Sequence, residues 1–181
     1  MTTLSRRHFR LIFLTLIVAL SGVVTACAED INPPFGLRWG ESADRMERLL
    51  EGAKATIVDR RLVEGREAWD VEGLIQTGLK RTVFYFNHAQ LVEVELQYQK
   101  DDWNDAQYDN FMGEVRKRLE QKYGEGQIIA KRTDQDPASD ITKKIVGYKW
   151  TQSNTAIELI YFSATNVSKA FRTLSVHYKT N

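Results

Sequence analysis

The chain has 181 residues, of which 43% are hydrophobic, 27% are charged and one is a cysteine. Its 25 basic and 24 acidic side chains nearly balance, which argues against the clustered basic surface that nucleic acid binding needs. One cysteine forms no intramolecular disulfide, and three histidines leave few ligands for a zinc site. We therefore expect no nucleic acid partner, no metal and no cofactor.

The first 26 residues have the layout of a secretory signal, in which basic residues precede an apolar run that ends in small residues. The basic stretch SRRHF resembles a twin-arginine export signal, with Arg6, Arg7 and Phe9 as its recognised residues. This resemblance implies that the protein folds before it crosses the membrane. A general secretion signal is the alternative, and so is a retained membrane helix, although the apolar run 11–26 is shorter than the about 20 residues a span requires.

The region around Cys27 supports two interpretations. The stretch VTAC over 24–27 resembles the lipobox of bacterial lipoproteins, which implies that Cys27 is acylated. The stretch ACA over 26–28 also fits ordinary signal peptidase, with cleavage before Glu29. We favour lipidation, because the single cysteine lies where acylation needs it. Ala28 follows it, and the resemblance to sorted lipoproteins then implies an outer-membrane lipoprotein facing the periplasm; the alternative is a soluble periplasmic protein.

A tether over 27–38, which contains two prolines, precedes a predicted first half over 39–100. This half begins with a helix, for which Ser42 is the predicted N-cap and Gly52 the stop. Strands are predicted over about 54–62, 66–74, 81–87 and 90–99. In the last of these strands, Val92, Val94, Leu96 and Tyr98 are predicted to point to the core, and Glu93, Glu95, Gln97 and Gln99 to water.

The second half, over 101–181, repeats this order. Its helix is predicted to begin after the N-cap Asp102, with Asp105 in the first turn, and to end at Gly124. Strands are predicted at 127–132, 143–152, 155–164 and 170–179, with a loop at 133–140. The pattern predicts an α+β fold, with two helices packed on an antiparallel sheet in one compact domain. It also suggests a tandem repeat of a helix-plus-four-strand unit, with the halves paired edge to edge.

The stretch WGESADRMERLLEG over 39–52 contains Gly40, Ser42, Met46, Leu50 and Gly52. This stretch resembles the start of a helix in small exported lipoproteins related to the smallest outer-membrane assembly subunit. The tandem helix-plus-four-strand order resembles the β-lactamase-inhibitor protein. Both resemblances imply protein binding rather than catalysis, and they provide no catalytic residue.

Candidate chemical sites are few. Ser175 and His177 share a strand face and could touch, but a serine in mid-strand lacks the strained presentation and oxyanion site of a nucleophile. A solvated polar face is therefore the prediction. Acidic residues near the second helix fit helix capping better than a calcium loop; they are Asp101, Asp102, Asp105 and Asp109. Trp39, beside the tether, is a candidate partner contact.

These observations favour an exported, lipid-anchored protein of the cell envelope that acts as a non-enzymatic protein-binding or accessory module. Its predicted partners are the membrane, through a lipid on Cys27, and an envelope protein. The alternative is a periplasmic small-molecule-binding protein or hydrolase, which would use a sheet groove with His177 or the acidic loop at 133–140.

Overall fold

A computed structural model describes residues 30–136, 138 and 140–180. Two helices and eight strands confirm the predicted α+β fold, and neither described helix is long and apolar enough to cross a membrane. The elements are α1 (Ala43–Gly52), β1 (Thr56–Val63), β2 (Arg66–Glu72), β3 (Leu79–Asn87), β4 (Gln90–Tyr98), α2 (Asp105–Tyr123), β5 (Gln127–Asp136), β6 (Ile141–Gln152), β7 (Thr155–Thr165) and β8 (Ala170–Thr180).

All eight strands form one antiparallel sheet in the order β1-β2-β3-β4-β8-β7-β6-β5. Each half supplies four strands joined in sequence, and the halves meet where β4 pairs with β8, the last strand of each half. At this junction Leu96 lies opposite Val176 and Tyr98 lies opposite Leu174. The two halves therefore share one continuous sheet, with β1 and β5 at its edges.

Both helices pack on the same face of the sheet. Because successive strand residues point to opposite faces, alternate apolar residues such as Phe84, Leu96 and Leu159 form one core with Met46 of α1 and Tyr108 of α2. The opposite face, which neither described helix covers, is called the helix-free face below. A smaller apolar cluster lies there, made of Ala68, Val83 and Tyr85 with Val63 and Val92 at its border.

A bulge in β4 decides where Val92 points. Tyr85 pairs with Glu93, whereas the next residue, Phe86, pairs with Leu91. Val92 is the extra residue, and it packs on the helix-free face. The prediction that it shares the core face with Val94 is therefore wrong, because a bulge shifts the alternation by one residue.

The N-cap follows the sequence for α1 but not for α2, whereas the C-terminal ends do the reverse: α2 ends at the predicted Gly124, but Gly52 is the last helical residue of α1 and its C-cap is Ala53. Ser42 caps α1 by accepting a hydrogen bond from the Arg45 amide at 3.3 Å. The N-cap of α2 is Asn104, and the prediction of Asp102 is wrong. Asn104 accepts from the Gln107 amide at 3.0 Å, and the Gln107 side chain accepts from the Asn104 amide at 2.8 Å. This reciprocal capping box satisfies two free amides at once. Asp102 lacks the Glu or Gln three residues later that such a box requires.

Strand β5 is longer than the sequence predicts. Thr133 to Asp136, predicted as part of a loop, pair with Lys144 to Ile141 of β6. The polar composition of this stretch favours a loop. The ladder with β6 overrides that preference, because pairing satisfies the backbone groups of both strands.

Gly126 lies against the indole of Trp150, which is 3% exposed and donates from Nε1 to the Gly124 carbonyl at 2.9 Å. A Cβ at residue 126 would lie 2.5 Å from Cζ2 of that ring. Gly126→Ala should therefore lower the free energy of unfolding by about 1–3 kcal/mol in urea denaturation. As a matched control, Gly113→Ala in α2, where a Cβ meets no atom within 4 Å, should raise it by up to about 1 kcal/mol. Unchanged stability of Gly126→Ala would contradict this packing.

Candidate functional site

The middle of the helix-free face carries four carboxylates that lie beneath five cations. The carboxylate side chains are between 4% and 16% exposed, and the cations between 29% and 39%. We call this group, with Ser175 and His177, the charged array. It consists of Arg61, Arg66, Asp70, Arg81, Glu93, Glu95, Lys149, Glu158, Ser175, His177 and Lys179.

The carboxylates of the array are held by short ion pairs. Asp70 contacts Arg61 at 2.6 Å and Arg81 at 2.8 Å; the geometry of the Arg61 contact is that of an ion pair and not of a hydrogen bond. Glu158 contacts Lys179 at 2.8 Å and Lys149 at 3.3 Å. Because the acids are buried and the cations partly exposed, the array presents mainly cationic groups to solvent.

The prediction that Glu93 and Glu95 of β4 point to water is wrong. Glu93 and Glu95 do lie on the face opposite the core, but they are 8% and 12% exposed and do not point to water. Arg66 donates to Glu93 at 2.6 Å, and the Tyr85 hydroxyl donates to Glu95 at 3.0 Å. Alternation along a strand predicts the face of a side chain, whereas residues from neighbouring strands decide whether water reaches it.

Ser175, His177 and Glu93 form a hydrogen-bonded chain at the centre of the array. His177 Nδ1 lies 3.0 Å from Glu93 Oε1, and its Nε2 lies 3.1 Å from Ser175 Oγ. An ionised carboxylate only accepts, so Nδ1 donates to Glu93, and Nε2 of a neutral imidazole then accepts from the Ser175 hydroxyl. The predicted contact of Ser175 with His177 is present, but the imidazole is only 17% exposed, so the expectation of a solvated face is wrong there.

The environment of Glu93 keeps this carboxylate ionised. Burial raises the pKa of Glu93, but hydrogen bonds from His177 and Arg66 and the charge of Lys179 outweigh it, so the pKa lies below its ordinary value. Glu158 follows the same balance: burial raises its pKa, and the contacts with Lys179 and Lys149 lower it further. Glu93 and Glu158 are therefore ionised at neutral pH.

The order serine, histidine, acid is that of a hydrolase triad, but the surroundings of Ser175 differ from those of a nucleophile. Ser175 lies inside β8, with Gln97 of β4 on one side and Ile160 of β7 on the other. The backbone amides around it serve the sheet ladder, and the Gln97 amide group donates to Glu95 at 2.8 Å. These donors are not free to stabilise an oxyanion. Within the described residues, the geometry orients the imidazole of His177 and places no free oxyanion donor beside Ser175.

An apolar patch adjoins the charged array on the helix-free face. Register places Ile160 beside Ser175 and Ile145 opposite Phe162, and the rings of Phe162 and Phe171 have centroids 6.2 Å apart. Phe171 is 48% exposed, and a cavity of about 330 Å³ lies beside it. The apolar patch comprises Ile145, Ile160, Phe162, Ala164 and Phe171. Sequence reasoning missed it, although the nearly continuous apolar run of β7 indicates a strand with two apolar faces.

The site residues predicted from the sequence have different outcomes. The lipidation and export residues lie outside the described part of the chain; they are Cys27, Arg6, Arg7 and Phe9. Trp39 is partly buried, and its Nε1 donates to the carbonyl of Ile31, a fully buried residue, at 2.8 Å. Trp39 therefore fixes the segment before α1 to the core, and its role as a partner contact stays a prediction.

Two of the four acidic residues near α2 bind other side chains of the protein. Asp105 accepts from the Tyr161 hydroxyl at 3.1 Å and from Arg172, and Asp109 contacts Lys144 at 3.3 Å. Among the described residues, no three His, Cys, Asp or Glu side chains converge as they would around a metal ion. These aspartates connect α2 to the strands beneath it.

No protein-family model, no curated protein and no solved structure matches this chain. Function is therefore argued from the geometry of the described residues.

Glu93→Gln should lower the free energy of unfolding by about 1–3 kcal/mol at pH 7, because Arg66 and His177 lose a charged acceptor. The folded-state pKa of Glu93 is lowered, so its stabilisation is present above the unfolded-state pKa of about 4.3 and disappears as the pH falls through the folded-state value. The difference between the variant and the wild type should narrow below about pH 4.

The matched control is Glu64→Gln, because Glu64 faces the same arginine at 3.7 Å but is 83% exposed. Exposed ion pairs contribute little to the free energy of unfolding. This variant should therefore have the stability of the wild type in urea denaturation at pH 7 and at pH 3. If Glu93→Gln lowered the stability by the same amount from pH 7 to pH 3, the claim that ionised Glu93 stabilises the fold would be wrong.

Proposed function

We propose that the protein is an exported, lipid-anchored binding module of the bacterial cell envelope, which docks a protein partner on its helix-free face. The observation that carries the proposal is the apolar patch beside the charged array, on a sheet face that neither described helix covers. Contiguous exposed apolar surface marks interaction sites. Aromatic residues surrounded by polar groups are typical of the residues that dominate binding energy.

The chemistry of the face defines the partner. The exposed ring of Phe171 and the neighbouring cavity fit an aromatic or aliphatic side chain. The outward cations of the array fit carboxylates at the border of such an anchor. Because each cation already contacts an acid beneath it, we expect the array to orient the partner more than to provide affinity.

The position of the proposed anchor supports a location close to a membrane. Ile31 is fully buried in the core, so four steps of chain separate a lipid on Cys27 from the folded body. Four residues span at most about 14 Å when extended. An acylated Cys27 would therefore hold the module beside the bilayer, where a membrane-associated protein is the nearest class of partner.

Photo-crosslinking in cells tests the docking face. Benzoylphenylalanine at Phe171 should give one discrete protein adduct, and Phe162→Asp should remove it, because a buried carboxylate breaks the apolar contact. The matched control is the same probe at Ile75, which is 100% exposed between β2 and β3 and should give no such adduct. Equal adducts at both positions would contradict the docking face.

The same preparation tests the anchor. The intact mass of the module in the membrane fraction should include the acyl chains on Cys27. A soluble product that begins at Glu29 would contradict the anchor while leaving the docking face open to the crosslinking result.

A periplasmic hydrolase is the second candidate, favoured by the Ser175, His177 and Glu93 contacts alone. A fluorophosphonate probe separates the two functions, because it labels serines that an adjacent base and an oxyanion site activate. We expect no labelling beyond that of a Ser175→Ala control, measured by mass spectrometry of the purified protein. Stoichiometric modification of Ser175 would favour the hydrolase.

A further inference from the structure

A groove lies between α1 and the edge strand β1. Its volume is about 570 Å³. The α1 residues Glu47, Leu50 and Glu51 form one wall, and residues 55–60 form the other. β1 is the first strand of the sheet and pairs with β2 alone, so its outer edge faces the groove region with backbone groups that no strand of the described chain pairs.

We propose that this groove binds an extended, basic peptide segment of a partner protein, which adds a strand to β1. Unpaired amide and carbonyl groups along a sheet edge are a ready template for another strand. In such strand addition the main-chain hydrogen bonds give affinity, and adjoining pockets select alternate side chains. This site is separate from the helix-free face and stands independently of the function proposed for that face.

The groove has an apolar floor beneath an exposed strand. Leu50 is 4% exposed, and Ala55 and Ile57 are partly buried against the core. Val58 is 50% exposed at the bulge between Ile57 and Asp59. Because alternate side chains of a strand point to opposite faces, an added segment would direct every second side chain towards this floor. Small aliphatic side chains fit there.

The charge of the groove favours basic side chains at the polar positions of the bound segment. The groove is lined by three carboxylates and one cation, Arg60. Arg60 is already bound by Glu47 at 2.5 Å and lies over the ring of Trp69 at 4.3 Å, and Asp59 contacts Arg61 at 3.3 Å. Glu51 makes no ion pair within the described chain and is exposed. A lysine or arginine in the segment would form an ion pair with the Glu51 carboxylate.

The test uses three synthetic heptapeptides with fluorescent labels. The first alternates Lys and Val, the second alternates Glu and Val, and the third is the Lys-Val peptide with N-methyl groups on alternate amides. Fluorescence anisotropy with the full-length protein should show binding of the first peptide. The other two should bind at least about tenfold more weakly, which corresponds to about 1.4 kcal/mol of binding free energy. Amide hydrogen exchange should slow in 56–60 when the first peptide is added, and not in β5.

Two variants localise the site. Glu51→Gln should weaken the Lys-Val peptide about two- to fivefold, as expected for a surface ion pair. The matched control is Glu114→Gln, also exposed on a helix, which should leave the affinity unchanged. Both positions are exposed, so neither variant threatens folding.

Three results would overturn the proposal. They are equal affinity for the Lys-Val and Glu-Val peptides, unchanged hydrogen exchange in β1, and a stable dimer in sedimentation velocity that protects β1 without any peptide. The last result would assign the edge to a second copy of the chain. Each of these results is independent of crosslinking at Phe171. The two proposals, peptide binding in the groove and partner docking on the helix-free face, are therefore tested separately.

Discussion

The pairing of β4 with β8 is the interaction on which the rest of the structure depends. It joins two four-stranded halves into one sheet, and it places Leu96 opposite Val176 at the centre of the shared core. Four strands under one helix bury less apolar surface than a continuous sheet of eight strands under both helices, which gives one core. The junction also removes two sheet edges, so that only β1 and β5 remain exposed to strand addition.

The same junction assembles the charged array. Glu93 comes from β4 and His177 from β8, and register places Glu93 opposite Lys179 across the pair. Placing carboxylates at such low exposure costs free energy unless each has several partners, and here every acid has at least two. A slip of one residue would turn these charges into the core, so the array helps to specify the register.

Two surfaces with different physical character remain available on this framework. The helix-free face combines aromatic area with fixed charge and suits a folded partner. The groove beside β1 offers unpaired backbone groups and an unpaired carboxylate, Glu51. It therefore suits an extended segment. They lie on opposite halves of the sheet, the patch on β6 to β8 and the groove at β1. Partners at the two proposed sites would therefore not overlap.

The sequence by itself determined the elements. Period-two alternation, Ser42 and the turn residues locate both helices and all eight strands, because these signals are local in the chain. Local signals do not show the bulge at Val92 or the extension of β5, because both depend on pairing geometry. The capping box of Asn104 and Gln107 is a local signal, and the prediction of Asp102 overlooked it. Only the tertiary structure decided that Glu93, Ser175 and His177 form one chain of hydrogen bonds and that Phe171 joins Phe162, since the contacting residues come from strands as many as 84 positions apart. Position in a strand predicts which face a residue occupies, and the neighbouring strands decide what it meets there.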